Sequence, residues 1–111
     1  MEISLEEFQN VDLRIGLVKS CERIKESRHL YKLMVDCGEE KERQILTGIM
    51  QFYTADDLIN RKIVVLTNIK VRKIMGMESQ GMLLAADVNN EPFLLEVDEK
   101  RKKVPPGAKI K

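Results

Sequence analysis

The chain has 111 residues, 19 of them Lys or Arg and 18 Asp or Glu, so its formal net charge is only +1. That balance excludes a protein that coats nucleic acid by bulk electrostatics, so any anion-binding site must be local. No window reaches the ~18 apolar residues that a membrane helix needs, and the length suits one domain, 1–111, with a single core.

The N-terminus, Met1-Glu-Ile-Ser-Leu-Glu-Glu7, lacks the basic and apolar regions of a signal peptide. Cys21 and Cys37 have no CxxC spacing, and the single His29 has no partner at ligand spacing. Ordinary thiols in a reducing cytoplasm are expected, with no disulfide, metal or cofactor.

Ser4 and Glu7 form a capping-box pattern, and Ile3 and Phe8 fit a hydrophobic staple, which predicts a short helix from Leu5 to about Gln9. Its expected role is to plug an end of the core or to contact a partner chain. Val11 to Leu17 alternates with period two, as a half-buried strand does. Asp12 and Arg14 share its outward face, where Arg14 either pairs with Asp12 or adds to an anion-binding surface. Gly16 is placed to mark a bend or bulge.

Residues 22–29 read as a polar connection, Leu30–Cys37 as a second strand, Gly38–Lys41 as a turn and Glu42–Ile49 as a third strand. Thr54 and Asp57 repeat the capping box and predict a second short helix, with Tyr53 and Leu58 at staple positions. Strand four is expected over Lys62–Thr67, strand five over Gly81–Ala86 and a sixth over Phe93–Val97, with Pro92 at its start. The turn at 87–91 holds Asn89 and Asn90, which tolerate left-handed backbone. A basic run, Lys100–Lys103, precedes a Pro-Pro-Gly turn and a last short strand, Ala108–Lys111. Three strands, a helix, then further strands is the order of an all-β, five-stranded OB-fold barrel, with the C-terminal extension left over as a candidate dimer element.

The stretch from Leu58 to Met77 holds Arg61, Lys62, Lys70, Arg72 and Lys73 and no acid. This segregated positive charge, on a loop between two apolar strands, is an anion-binding surface in the making. Aromatic residues are few (Phe8, Tyr31, Phe52, Tyr53 and Phe93, with no Trp). That favours folded RNA, gripped by phosphate and 2′-hydroxyl, over single strands stacked on exposed rings. There is no Ser-His, Cys-His, phosphate-loop or metal spacing, so the chain is not expected to be an enzyme.

Val11-Asp-Leu-Arg-Ile-Gly16, Leu30-Tyr-Lys-Leu33, Thr47-Gly-Ile49, Asn68 through Arg72-Lys-Ile-Met-Gly-Met-Glu-Ser-Gln-Gly-Met82 and Pro106-Gly-Ala-Lys109 together resemble the structure-specific tRNA-binding domain family. That domain occurs as a free-standing dimeric protein, and as the C-terminal domain or separate beta subunit of methionyl-tRNA synthetase. It also occurs in the beta chain of bacterial phenylalanyl-tRNA synthetase and in the human synthetase-associated cytokine precursor. The length is that expected of the free-standing or separate-subunit form. The resemblance implies an OB-fold homodimer that binds the outer corner of tRNA, alone or beside a methionyl-tRNA synthetase catalytic subunit. Under it, Arg72 and Lys73 are the primary phosphate contacts and Lys70 adds charge. Lys32 matches the family's strand-two lysine. Ser79 and Gln80 either donate to phosphate or sugar or stabilise the turn, and Met82 either packs on the RNA or opens a core strand. Lys100–Lys103 either extends the RNA surface in a dimer or is a solvated run. A secretion-chaperone branch shares the fold but departs from Glu-Ser-Gln-Gly-Met. The alternative expectation is therefore a peptide-binding chaperone dimer.

Overall fold

Strand β1 (Leu13–Arg23) is long enough to serve two parts of one sheet. In the computed structural model, which describes residues 1–111, β4 (Lys62–Leu66) pairs with β1 over Leu13–Leu17. Strand β2 (Tyr31–Asp36) pairs with it over Leu17–Arg23, and β10 (Lys109–Ile110) over Leu13 and Arg14. The register shifts between Val18 and Ser20, leaving Lys19 as a bulge that bends the strand between its two sets of neighbours. The bend is therefore three residues beyond Gly16. Gly16 has a packing reason instead: a Cβ there would lie 2.6 Å from Val35 Cγ1 and 2.9 Å from Val65 Cγ2.

Strand β2 alternates strictly, with Tyr31, Leu33 and Val35 buried and the residues between them half-buried, as its period-two pattern predicts. It pairs with β3 (Arg43–Thr47), and the barrel order is β3-β2-β1-β4-β7, with β7 at Met82–Leu83. The core inside holds Val18, Leu33, Val35, Ile45, Ile63 and Val65, together with Leu58 of helix α2 (Ala55–Leu58). Both predicted capping boxes form, Ser4 with Glu7 and Thr54 with Asp57. Their fates differ: Leu58 carries α2 into the core, whereas α1 (Leu5–Gln9) buries no residue, so it does not plug the barrel. No helix is long and apolar enough to cross a membrane.

Three departures from the predicted elements follow from local physics. The 68–82 loop contains a hairpin, β5 (Arg72–Ile74) and β6 (Met77–Ser79). Its two turn residues, Met75 and Gly76, both have positive φ (52° and 78°), the mirror-image turn whose twist suits a two-residue hairpin. Methionine is an uncommon occupant of that conformation, which hides the signal. The predicted fifth strand breaks after Leu83: the chain leaves the barrel, and β8 (Ala85–Val88) pairs with β9 (Glu91–Leu94) across a turn in which Asn89 and Asn90 take left-handed backbone. Beyond Leu94 the predicted strand does not continue. Residues 95–99 are instead tied to the start of β4, with Glu96 bonded to Arg61 just before it and Glu99 to Lys62, its first residue.

Candidate nucleic-acid interface

Barrel closure is where the Glu78-Ser-Gln-Gly-Met82 run acts. Strand β3 needs acceptors for its outward N–H groups, and residues 79–80 supply them partly through side chains. The Leu46 N–H donates to Ser79 Oγ (3.0 Å), and the Gln44 N–H donates to Gln80 Oε1 (2.9 Å). The Gln80 N–H donates to the Gln44 carbonyl (2.7 Å). Ser79 is fully buried, and its hydroxyl also donates to the Gly81 carbonyl (3.0 Å). Gly81 is needed for close approach, because a Cβ there would lie 3.2 Å from the Leu66 carbonyl oxygen. The run thus welds the β5–β6 arm to the barrel wall. Gln44 Nε2 adds a bond to the Glu78 carbonyl (2.8 Å).

On that arm, Lys70, Arg72 and Lys73 are exposed and form no ion pair, although Glu78 sits across the ladder from Lys73. The positive stretch seen in the sequence is smaller in space. Arg61 is bonded to Glu96 (3.0 Å) and stacks over the Tyr53 ring (5.4 Å), and Lys62 is paired with Glu99. Lys32 lies beside the arm, since it lines a shallow pocket with Arg23, Lys25 and Met77. Its ammonium is 3.5 Å from the Glu22 carboxylate, a loose and exposed pair. Arg23 and Lys25 escape notice in the sequence because Glu22 and Glu26 alternate with them, and both acids line the same pocket, so the edge there is of mixed charge.

The remaining predicted residues are placed differently. Arg14 donates to Asp12 (3.0 Å) and to the Gly107 carbonyl (3.1 Å), which fastens β1 to the C-terminal turn. Ser79 offers no outward atom. Gln80 has its carbonyl groups engaged and keeps only its amide nitrogen without a partner within the chain. Met82 is half-buried on β7 opposite Leu66.

The Asp12 carboxyl is held below the usual range, first by the Thr67 hydroxyl and then by Arg14, against the cost of burial. The Glu39 carboxyl is lowered chiefly by its bond to Arg43. Burial pushes both thiols up to about 11, leaving Cys21 and Cys37 protonated and unreactive at neutral pH.

A bent five-stranded barrel, closed by side chains that also anchor a cationic hairpin, defines an OB-like binding module. The profile of the putative tRNA binding domain family matches residues 13–109, and the chain belongs to that family. It is 45% identical over 109 residues to the methionine–tRNA ligase of Archaeoglobus fulgidus, covering 98% of this chain but 16% of that protein. The chain therefore spans about a sixth of the curated relatives it matches. The structure of a MetRS-related protein from Pyrococcus horikoshii superposes with a TM-score of 0.87 at 38% identity, covering 99% of both chains. That of the chaperone CsaA from Bacillus anthracis superposes at 0.85 with 28% identity, covering 100% of both.

Proposed function

We propose that this chain is a non-catalytic tRNA-binding module that grips the outer corner of folded tRNA through the β5–β6 arm. The observation that carries this reading is the set of three exposed, unpaired cations, Lys70, Arg72 and Lys73, on a hairpin fixed to a rigid barrel of the tRNA-binding family. Cations in fixed geometry recognise the phosphate pattern of folded RNA without reading bases. Lys32, with Arg23 and Lys25 beside it, continues the same surface. Gln80 holds that surface to β3 and Ser79 acts from inside, while Arg14 braces β1 against the C-terminal turn and Met82 sits half-buried on β7.

The module works as a homodimer, free-standing or as the tRNA-binding subunit of a methionyl-tRNA synthetase. Two symmetric arms then engage one tRNA and raise its effective concentration at the partner's catalytic site. The exposed Ile3 and Leu5 at α1 and Phe93 and Leu95 in the C-terminal extension are apolar surface available to a second copy. Sedimentation is expected to give twice the 12.8 kDa of one chain. Titration with tRNA, a simple RNA hairpin and single-stranded RNA tests the recognition, with tRNA expected to bind most tightly. Equal affinity for all three would overturn structure-specific binding.

A second reading, a peptide-binding chaperone, is favoured by the likeness to the CsaA structure and by a groove of about 350 Å³ lined by Ile49, Phe52, Leu83 and Pro92. Binding of unfolded polypeptide without binding of tRNA would select it.

A further inference from the structure

The arm leaves the barrel at Thr67 and rejoins it at Gln80, and no backbone hydrogen bond joins those two residues. What joins them is the Arg43 side chain. Its Nη1 donates to the Gln80 carbonyl (2.6 Å) and to the Thr67 carbonyl (3.0 Å), bridging both ends of the arm. Its Nε and Nη2 donate to the two carboxylate oxygens of Glu39 (2.6 and 2.8 Å), which fixes the guanidinium plane. A guanidinium has five N–H donors, and four are used here within the chain. Arg43 is therefore poorly placed to bind phosphate itself, although it adjoins the cationic surface.

From this geometry we infer that Arg43 and Glu39 form a positioning clamp that sets the pose of the RNA-binding arm; the inference rests on the tRNA-binding reading above. An exposed ion pair alone would contribute little. This pair differs because it is bidentate and because the Arg43 side chain, 24% exposed against 46% for Glu39, also satisfies two main-chain carbonyls at once. Lysine has no planar fork and cannot reproduce the bridge.

Two conservative variants separate positioning from charge. Arg43→Lys keeps the charge, so a purely electrostatic role predicts unchanged tRNA affinity, whereas the clamp predicts a loss. Glu39→Gln removes a negative charge beside a cationic surface, so electrostatics predicts tighter binding, whereas the clamp predicts weaker binding. The expected loss for each is about tenfold, from hydrogen bonds to charged groups converted to an affinity ratio. Amide hydrogen exchange supplies a readout that needs no RNA. In both variants the amides of residues 72–80 are expected to exchange faster while those of β2 keep their protection. Uniformly faster exchange with unchanged affinity, or tighter binding by Glu39→Gln, would overturn the clamp. If the unaltered protein binds no tRNA, the proposed function fails, and the exchange pattern alone decides whether the clamp positions the arm.

Discussion

Replacing Ser79 by Ala separates the two roles its sequence context allows. The hydroxyl is fully buried, accepts the Leu46 N–H at 3.0 Å and donates to the Gly81 carbonyl at 3.0 Å. Alanine adds no volume, so there is no clash. It strands a buried N–H at the barrel seam, and an unsatisfied donor there costs about 1–3 kcal/mol. For a domain of this size each kcal/mol lowers Tm by about 4–8 °C, so Ser79→Ala is expected to melt roughly 4–24 °C lower. Thermal unfolding followed by circular dichroism measures this, and tRNA titration well below the lowered Tm completes the pair. The geometry predicts a clear loss of stability. Any loss of affinity should then track faster amide exchange in the 72–80 arm. An unchanged Tm together with a large loss of tRNA affinity would show that the hydroxyl meets RNA directly, and would refute the seam.

Gly16→Ala places a methyl group 2.6 Å from Val35 Cγ1 and 2.9 Å from Val65 Cγ2, so overpacking should destabilise by about 1–3 kcal/mol, read as a lower urea midpoint with an unchanged m-value. Asp12 and Glu39 titrate below their ordinary values of 3.8 and 4.5 in the folded chain. Their stabilisation is therefore fully present above those values and is lost as pH falls through the lower folded ones. Denaturation from pH 6 downward should show stability declining mainly below about pH 4.5, and a flat profile down to pH 3 would contradict the pairing. Arg61→Ala and Lys62→Ala should leave tRNA affinity nearly unchanged, because those cations are bonded to Glu96 and Glu99; a loss equal to that of Arg72→Ala would mean that the ion pairs open on binding.

What the sequence reveals here is what is local. The capping boxes at Ser4 and Thr54 need only residues three apart, and both form. The alternation in β2 records one buried face, and the burial pattern matches it. Long-range chemistry is different. Nothing near Arg61 and Lys62 announces that Glu96 and Glu99 will neutralise them, so the apparent cationic stretch is longer in sequence than in space. Nothing near Ser79 says that its hydroxyl will face the Leu46 N–H across the seam, so a residue that reads as a polar loop donor is fully buried. The β5–β6 hairpin is hidden because its strands are three residues each and its left-handed turn is opened by Met75, not by Asn or Asp. The Arg43 clamp pairs locally with Glu39 but draws on Thr67 and Gln80 far along the chain, and only the fold brings these to it.

The most direct test of the proposed arm is the salt dependence of tRNA binding by the unaltered protein and by the Arg72→Ala/Lys73→Ala double variant. Each lost phosphate contact should flatten the slope of log K against log salt by about one unit, so the double variant should bind more weakly with a slope about two units shallower. An unchanged slope would contradict the assignment of the arm as the phosphate-contacting surface.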